Sequence, residues 1–359
     1  MSRQIVIPFG PQHPVLPEPI HLDLVMEDER VVDALPSIGY IHRGLEKLVE
    51  KRDYRDFVYI AERICGICSF IHGMTYCHAI EGIMDLPVPP RALYLRTVWS
   101  ELSRLHSHLL WLGLMADSMG FESLFMQSWR LREHVLDDLE STTGNRVIQG
   151  VCKVGGVRHD VSNQKLNEIV AGLEVLRPQL EDLMSVFVRD DTVRHRLSGL
   201  GVVTEQQAWD LGGAGPVLRA SGIANDIRQI GYAAYDELDF KPVVETAGDC
   251  YARTLVRAKE LFTSIDLIRQ AVEKIPEGPV DMKVTGNPKG EFYARSEQPR
   301  GEVIHYVKAN GTKNLVRFRV RTPTFTNIAP LVTCLKGIEL ADVPVVVLSI
   351  DPCIGCAER

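Results

Sequence analysis

Two cysteine pairs with identical internal spacing constrain this chain more than any other feature of its sequence. Cys65 and Cys68 form the first CxxC pair, and Cys353 and Cys356 form the second, just before the end of the 359-residue chain. One such pair is a weak signal, but two pairs offer four soft thiolates to a single metal centre. A fold that uses all four must bring its C-terminal segment back to residue 65.

The overall composition narrows the class of protein. The chain is 45% hydrophobic and 24% charged with a net charge of −7, which is ordinary for a globular protein and argues against nucleic-acid binding. No apolar run of about 18 residues predicts a transmembrane helix, and the first residues are too polar for a secretory signal. We therefore expect reduced cysteines, which favours a metal role for the two pairs. The remaining cysteines lack paired spacing and are expected to be buried: Cys77, Cys152, Cys250 and Cys334.

The spacing of the two pairs leaves three interpretations open. Four cysteines can hold a structural zinc ion, a redox or catalytic metal, or no shared metal at all. Zinc modules usually place their two pairs about 15–20 residues apart, whereas these pairs lie at opposite ends of the chain. The long interval weakens the zinc interpretation.

The hydrophobic periodicity predicts a mainly α-helical fold with smaller β elements near both ends. Residues 1–40 form an extended β arm with a hairpin between 21–25 and 30–34, interrupted by several prolines. Residues 41–275 form a helical core. Apolar residues recurring every three or four positions predict its longest helices, at 91–119, 121–141, 162–185 and 246–275.

Residues 276–359 are expected to hold a β-hairpin region and a C-terminal metal-binding loop. Alternating segments at 303–307 and 315–320 flank Asn310-Gly311, which is a strong hairpin signal. A final helix at 328–338 and an apolar strand at 343–350 then lead to the second cysteine pair. We expect the whole chain, 1–359, to form one domain.

The surroundings of both pairs resemble those of a known family. The segment Arg63–Cys68, followed by His72, resembles the first signature of the large, catalytic subunit of NiFe hydrogenases. The segment Asp351–Arg359 resembles the last signature. The resemblance covers nearly the full chain, and the paired signatures are far more specific than either CxxC alone. It implies a helical core like that of the hydrogenase large subunit.

Two N-terminal segments narrow the resemblance. Residues 10–14 (Gly-Pro-Gln-His-Pro) and 42–48 are similar to the quinone-site subunit of respiratory complex I, a relative that lacks the nickel ligands. A chain with these features that keeps all four cysteines resembles the membrane-bound, energy-converting hydrogenases. Among them, it is most like the ferredoxin-linked Ech type or its CO-induced counterpart. The implied activity is reversible hydrogen oxidation and proton reduction.

The resemblance assigns a role to each cysteine. It implies that Cys65 and Cys353 are terminal nickel ligands and that Cys68 and Cys356 bridge nickel and iron, whose other ligands are two cyanides and one carbon monoxide. Soft thiolates suit redox changes at nickel. His72 would donate a hydrogen bond to a cysteine sulfur.

Other residues receive roles around this centre. The resemblance implies that Arg300 lies over the open coordination site and binds one cyanide, and that Thr322-Pro323-Thr324 binds the other through the Thr324 hydroxyl. Asp351 would orient Arg300. From the residues alone, Arg300 would be an exposed hairpin arginine, Thr324 a β-strand threonine and Asp351 a helix or turn cap.

Proton transfer and the chain terminus complete the expected site. Glu18 matches the family's first proton-relay glutamate, with a solvated loop glutamate as the alternative. Glu46 matches a residue that helps bind a metal in relatives. The chain ends in Arg359, which cannot ligate a cation, so we expect Glu46 to pair with a basic group. His106 and His108 are interpreted as packing residues or neighbours of the ligands.

The resemblance also implies partners and a location. This chain has no further four-cysteine pattern, so a small subunit with a 4Fe–4S cluster, other iron–sulfur subunits and ferredoxin would carry the electrons. Integral membrane subunits would translocate ions, and this chain would lie peripherally on the cytoplasmic face of the cell membrane. Arg359 stands where the family's precursor tail is cleaved. The alternatives are a non-catalytic quinone-module subunit of the complex I type and a structural zinc protein.

Overall fold

The computed structural model describes residues 4–359, and its N-terminal part is a small antiparallel sheet. Its strands β1 (Gln4–Phe9), β2 (His21–Glu27) and β3 (Arg30–Ser37) pair in the order β1-β2-β3. Every second residue of β2 is buried, so one face of this sheet covers the core. The predicted hairpin between β2 and β3 is confirmed. Residues 1–3 of the predicted arm lie outside the described residues.

A set of α-helices forms the body of the molecule. In chain order within residues 4–359 these are α1 (Leu45–Leu48), α2 (Phe57–Glu62), α3 (Ser69–Met84), α4 (Pro90–Ser118), α5 (Glu122–Thr143), α6 (Asn163–Arg189), α7 (Asp191–Leu197), α8 (Glu205–Asp210), α9 (Pro216–Ala220), α10 (Cys250–Lys274), α11 (Pro323–Leu335), α12 (Val343–Ser349) and α13 (Ile354–Glu358). The four predicted long helices correspond to α4, α5, α6 and α10. The mainly helical fold class is confirmed.

Helix α4 lies at the centre of this body. Pro90 occupies its first turn, where the missing N–H costs no helical hydrogen bond. Its side chains are buried on nearly every face, because α3, α5, α10 and α12 all pack against it. A helix covered on all sides is a rigid support for residues that approach it from other elements. None of the helices within residues 4–359 is both long and apolar enough to cross a membrane.

The C-terminal part adds a second sheet. After the short pair β4 (Cys152–Lys153) and β5 (Gly156–Val157), strands β6 (Lys289–Gln298), β7 (Gly301–Asn310) and β8 (Arg317–Arg321) form an antiparallel sheet in that order. The predicted hairpin around Asn310-Gly311 joins β7 to β8 and is confirmed. Strand β6 was not predicted from the sequence. It pairs with β7 along its whole length through a tight turn at Pro299-Arg300.

The predictions for residues 328–350 were partly wrong. The final helix begins earlier than predicted, at Pro323, and the predicted strand at 343–350 is helix α12. This valine-rich segment is buried against α4 and α10, and it joins none of the sheets within residues 4–359. Its backbone groups therefore bond within a helix, whose Leu348 carbonyl accepts a hydrogen bond from Trp111 Nε1 at 2.7 Å.

Glu62, at the end of α2, is a fully buried carboxyl group. Gly73 of α3 makes room for it, since a Cβ there would lie 2.5 Å from Glu62 Cγ. Within residues 4–359, neither carboxyl oxygen makes a hydrogen bond of normal geometry, although the Gly150 backbone lies close by. Burial raises the pKa of Glu62 to about 7, although Arg158 and Arg63 act in the opposite direction.

This buried acid predicts a pH dependence of stability. The folded-state pKa of Glu62 is raised, so its stabilising effect is complete below about pH 4.5 and is lost as pH rises through about 7. Glu62→Gln, which stays neutral, should remove this loss. Between pH 4.5 and 8, the free energy of unfolding of the wild type relative to the variant should fall by about 3 kcal/mol. This value follows because each unit of pKa shift corresponds to about 1.4 kcal/mol.

Urea denaturation at several pH values measures this difference. Glu181→Gln, at an exposed position on α6, is the matched control and should follow the wild type. Parallel pH profiles for the wild type and Glu62→Gln would contradict the assignment of a raised pKa to Glu62.

Candidate metal centre

The fold brings the four paired cysteines together in one buried cluster. The Cys65 and Cys353 sulfurs are 3.2 Å apart, and the Cys68 and Cys356 sulfurs are 3.4 Å apart. The sulfurs of Cys65, Cys68 and Cys356 all lie within 4.8 Å of one another, and all four side chains are buried. Each sulfur of the first pair therefore faces one sulfur of the second pair.

The two pairs reach this cluster on the ends of helices. Cys65 lies in the turn between α2 and α3, and Cys68 directly precedes α3. Cys353 is extended and precedes α13, in which Cys356 lies, so the predicted irregular loop is partly helical. Gly355 permits the close approach, since a Cβ there would lie 3.1 Å from both Glu18 Oε1 and the Ile64 carbonyl oxygen.

The four thiols share negative charge unequally. Hydrogen bonds from Cys353 and the other two thiols lower the pKa of Cys65 well below its usual value. The Ile67 N–H also donates to the Cys65 sulfur at 3.2 Å. Burial raises the pKa of Cys68, and the negative charge of the neighbouring Cys65 thiolate raises it further. These opposite shifts favour the thiolate form at Cys65 over that at Cys68.

Arg300 lies beside this cluster and is buried, in contrast to the exposed arginine that its hairpin position alone would suggest. Its guanidinium donates to Asp351 Oδ1 at 2.6 Å and to the Asp351 carbonyl at 2.9 Å. A third bond joins it to Ser107 Oγ on α4 at 3.3 Å. The predicted pairing of Arg300 with Asp351 is confirmed, and the pair holds a fixed positive charge next to the sulfurs.

Thr324 approaches the cluster from the first turn of α11 and not from a strand. Its hydroxyl oxygen accepts a hydrogen bond from the Cys353 N–H at 3.1 Å, which leaves the hydroxyl hydrogen free to donate elsewhere. Pro323 precedes it at the start of the helix. In the same turn, the Thr322 hydroxyl donates to the Cys356 carbonyl at 3.0 Å, so α11 fixes both ends of the second pair.

His72 lies one turn into α3 and contacts the cluster. Its Nε2 is 3.3 Å from the Cys356 sulfur, and its Nδ1 is 3.1 Å from Nε2 of His305 on β7. Burial lowers the pKa of His72 to about 4, although the negative charge of Cys65 acts in the opposite direction. The predicted contact between His72 and a cysteine sulfur is present.

Glu18 lies on the other side of the cluster, in the segment between β1 and β2. Its Oε2 accepts a hydrogen bond from the Gly355 N–H at 2.9 Å. Partial burial raises its pKa, as does the charge of Cys65, against the effect of this hydrogen bond. Glu18 is therefore bound to the second cysteine pair and is not a solvated loop residue.

The C-terminal residues are held by the N-terminal part of the chain. Glu46 pairs with Arg359 at 2.9 Å and with Arg319 at 2.7 Å. A basic partner for Glu46 was predicted, because the last residue is an arginine that cannot bind a metal ion. Glu358 accepts hydrogen bonds from the backbone N–H groups of Gly39 and Ile41, each at 2.5 Å. These contacts hold the second cysteine pair against the first.

The two histidines of α4 are buried, and one of them contacts the first cysteine pair. His106 Nε2 is 2.9 Å from the Ile67 carbonyl, inside the first cysteine pair. Burial lowers the pKa of His106 to about 3, so its ring is neutral and donates to that carbonyl. His108 Nε2 is 2.8 Å from Glu260 of α10 and lies further from the cluster. The four unpaired cysteines are buried and free, as predicted.

Two residues of this geometry, Ser107 and His305, were not predicted from the sequence, and Thr322 was named only as the first residue of the segment 322–324, without a role of its own. Ser107 is one of many buried positions on a long helix, so its contact with Arg300 left no signal in the sequence. His305 left a weak signal, because it is a polar residue on the buried face of β7.

The residues present fit a thiolate metal centre. The donor set is four buried sulfurs, the ligand type that suits nickel, iron and zinc. Buried polar groups that bond Arg300 or lie close to it in sequence have free bonding capacity. Asp351 Oδ2 and both atoms of the Gln298 carboxamide make no hydrogen bond within residues 4–359. A metal that carries small polar ligands would bind the sulfurs directly, and its other ligands would hydrogen-bond such polar groups.

Two family models match different parts of the chain. The model described as "Respiratory-chain NADH dehydrogenase, 49 Kd subunit" matches residues 118–286 and 282–359. The model described as "Nickel-dependent hydrogenase" matches residues 43–115, which include the first cysteine pair.

Individual relatives cover nearly the whole chain. The carbon monoxide-induced hydrogenase of Rhodospirillum rubrum is 39% identical over 98% of this chain and 99% of its own length. The membrane-bound hydrogenase subunit alpha of Pyrococcus furiosus is 38% identical over 99% of this chain and 87% of its own. One subunit of the F(420)H(2) dehydrogenase of Methanosarcina mazei is 37% identical over 100% of this chain and 98% of its own.

The chain therefore belongs to the family of NiFe hydrogenase large subunits that is related to the 49 kDa subunit of respiratory-chain NADH dehydrogenase. The predicted family is confirmed. Relatives at similar identity include both hydrogenases and one subunit of a dehydrogenase. Membership in the family therefore indicates an oxidoreductase and does not specify which reaction it catalyses.

From the position of the cluster we expect Cys353 to be needed for metal binding and Cys250 not to be. Cys353→Ser replaces a soft sulfur by a hard hydroxyl that does not ionise near neutral pH, so bound transition metal should fall to a small fraction of the wild-type content. Cys250→Ser is the matched control, since Cys250 is buried at the start of α10, outside the cluster. Metal analysis of both purified variants measures the effect, and equal losses would contradict the ligand assignment.

Proposed function

We propose that this chain is the catalytic subunit of an energy-converting NiFe hydrogenase, which interconverts hydrogen with protons and electrons. The observation that supports this proposal most strongly is the close approach of the two CxxC pairs, with sulfur–sulfur distances of 3.2 and 3.4 Å. A subunit that only forms a quinone site has no use for four converging thiols. The identity to two hydrogenases over nearly the full chain points in the same direction.

In this proposal, the cysteines hold nickel and iron in the arrangement that the family resemblance implies. Cys65 and Cys353 would hold the nickel, and Cys68 and Cys356 would be shared by nickel and iron. When bound, the centre with its cyanide and carbon monoxide ligands supplies the redox chemistry that splits and forms hydrogen. Thiolates are deprotonated ligands, so the fixed charge of Arg300 helps to stabilise the loaded cluster.

The surrounding side chains position and isolate this centre. Arg300 is held by Asp351 and Ser107, which fixes its guanidinium beside the sulfurs. We assign one cyanide to Arg300 and the other to the Thr324 hydroxyl, whose hydrogen is free to donate. His72 is assigned to the Cys356 sulfur, where a donated hydrogen bond draws electron density from the thiolate.

Glu18 is proposed to carry protons between the centre and solvent. Its carboxyl group hydrogen-bonds the Gly355 N–H, between the two cysteines of the second pair. It is partly exposed, so a proton held at one of its oxygens can reach water without crossing the core. A carboxyl group in this position can accept a proton from the site and pass it outward, or the reverse.

Electron transfer requires other chains in this proposal. The structure places no second four-cysteine cluster among residues 4–359. We therefore propose a small subunit with a 4Fe–4S cluster, further iron–sulfur subunits and ferredoxin as electron partners. Integral membrane subunits would translocate ions, with this chain peripheral on the cytoplasmic face.

A second candidate function is a quinone-module subunit of the complex I type. It is favoured by the match of residues 118–359 to the 49 kDa subunit model. Metal content separates these possibilities, because the hydrogenase requires nickel and iron in equal amounts and the quinone module requires neither. Zinc alone would indicate a structural site.

The experiment that tests the proposal is metal analysis and infrared spectroscopy of the chain purified in its native complex. We expect nickel and iron in equal amounts, together with carbon monoxide and cyanide stretching bands. Zinc alone in active material, or nickel-replete protein without those bands, would overturn the proposal.

Glu18→Gln tests the proposed proton route. The glutamine carboxamide oxygen can still accept the Gly355 hydrogen bond, but the side chain cannot carry a proton. Hydrogen turnover should fall by about 100-fold or more, the usual effect of losing a positioned proton-transfer group, while the nickel and iron content stays unchanged. Glu29→Gln, at an exposed position in the turn between β2 and β3, is the control. Turnover of Glu18→Gln equal to that control would exclude Glu18 from the route.

A further inference from the structure

A pair of buried histidines lies behind the second cysteine pair. His72 of α3 contacts the Cys356 sulfur through Nε2, and its other nitrogen, Nδ1, is 3.1 Å from Nε2 of His305. Both side chains are fully buried. His305 comes from the middle of β7, outside both cysteine signatures. The contact therefore connects the sheet to the metal ligand through His72.

The N···N contact couples the protonation patterns of the two rings. A hydrogen bond between two ring nitrogens requires a hydrogen on one and a lone pair on the other. Each neutral ring also carries only one N–H group. If His305 donates from Nε2 to His72 Nδ1, then the single hydrogen of His72 must lie on Nε2, facing Cys356. If His72 donates from Nδ1, its Nε2 presents a lone pair to the sulfur.

The state of the sulfur decides between these arrangements. A cysteine that ligates a metal is a thiolate and carries no hydrogen. A His72 lone pair directed at this thiolate would place two electron-rich atoms 3.3 Å apart. The arrangement in which His305 donates to His72, and His72 donates to Cys356, has no such repulsion.

The surroundings of His305 hold its ring in the position that this chain of bonds requires. The Phe318 ring of β8 packs edge-on against it, with centroids 5.1 Å apart and an interplanar angle of 85°. The His72 ring lies nearly parallel to it at 5.4 Å. His305 Nδ1 makes no hydrogen bond within residues 4–359, so the other side of the ring imposes no competing tautomer.

We propose that His305 is a positioning residue of the metal centre: its Nε2–H donates to His72 Nδ1 and so holds His72 in the tautomer whose Nε2–H points at Cys356. This inference rests on the proposed function only in taking Cys356 as a metal-bound thiolate. Hydrogen bonds in series polarise one another, so the bond from His305 also strengthens the one to the sulfur. Groups that hydrogen-bond a metal ligand, as His72 does here, typically contribute about 10–100-fold to metal affinity, and His305 acts on this contribution through His72.

The tautomer can be measured directly on the full chain loaded with Zn²⁺. Zinc is diamagnetic and binds four cysteine thiolates, so it imposes the deprotonated state without nickel or iron. Nuclear magnetic resonance of 15N-histidine-labelled protein distinguishes the two nitrogens of each ring, and the His72 signals are identified by their loss in His72→Gln. We expect the wild-type ring to carry its hydrogen on Nε2.

Two substitutions of His305 separate hydrogen bonding from packing. His305→Phe keeps a ring of similar size but removes the donor, so His72 should shift toward the Nδ1–H tautomer and the zinc dissociation constant should rise about 10-fold or more. His305→Gln retains an N–H donor and should restore both values toward the wild type. His78→Leu is the matched control, since His78 lies on the same helix, near Phe292 and away from the sulfurs, and should change neither.

Clear outcomes would overturn the inference. A wild-type His72 ring with its hydrogen on Nδ1, or the same His72 tautomer in the wild type and in His305→Phe, would exclude the proposed role. If His305→Phe does not fold, His305→Leu provides the donor-free comparison with His305→Gln. The proposed function is tested by a different result. Zinc in place of nickel in the native complex would overturn the hydrogenase proposal, but it would not change the tautomer measured for His72.

Discussion

The structure depends on the return of the C-terminal segment to the first cysteine pair. Four neighbouring thiolates are costly to bury, since each added thiolate raises the cost of the next. The positive charge of Arg300 reduces this cost, and the backbone of the second pair is held from several directions. Thr324, Thr322 and Glu18 each bond a different backbone group within residues 353–356, and Glu358 is held by the loop at 39–41. The geometry of the cluster is therefore set mainly by backbone contacts.

The hairpin that carries Arg300 is fixed by buried arginines. Arg104 of α4 donates to the Glu297 and Gln298 carbonyls at 2.9 and 3.1 Å, and Arg219 of α9 pairs with the Glu297 carboxylate at 2.8 Å. Buried ion pairs of this kind contribute little net stability, because desolvation offsets most of the attraction. Their strong directionality does constrain where the β6–β7 turn lies. That turn sets the position of Arg300 relative to the sulfurs.

The sequence predicted the cluster better than it predicted the elements that hold it. The cysteines, His72 and Asp351 lie in motifs specific enough to be recognised without a structure. The segment 343–350 was predicted wrongly as a strand, because a short run of buried β-branched residues does not distinguish a strand from a helix. Strand β6 was missed because its residues are mostly polar and show no clear apolar alternation, and its first half is largely exposed. Contacts such as Ser107 with Arg300 depend on tertiary packing and leave no periodic signal.

In the proposed function, the groups around the cluster divide three tasks among them. Arg300 carries a permanent positive charge because guanidinium does not lose its proton in proteins, so it can balance thiolates but cannot move protons. His72 and His106 are kept neutral by burial, and they therefore contribute directional hydrogen bonds without adding charge. Glu18 alone among these groups is both partly exposed and able to exchange a proton near the sulfurs. In the proposed function, charge balance, ligand orientation and proton exchange therefore belong to different residues, which allows one to be altered while the others remain in place.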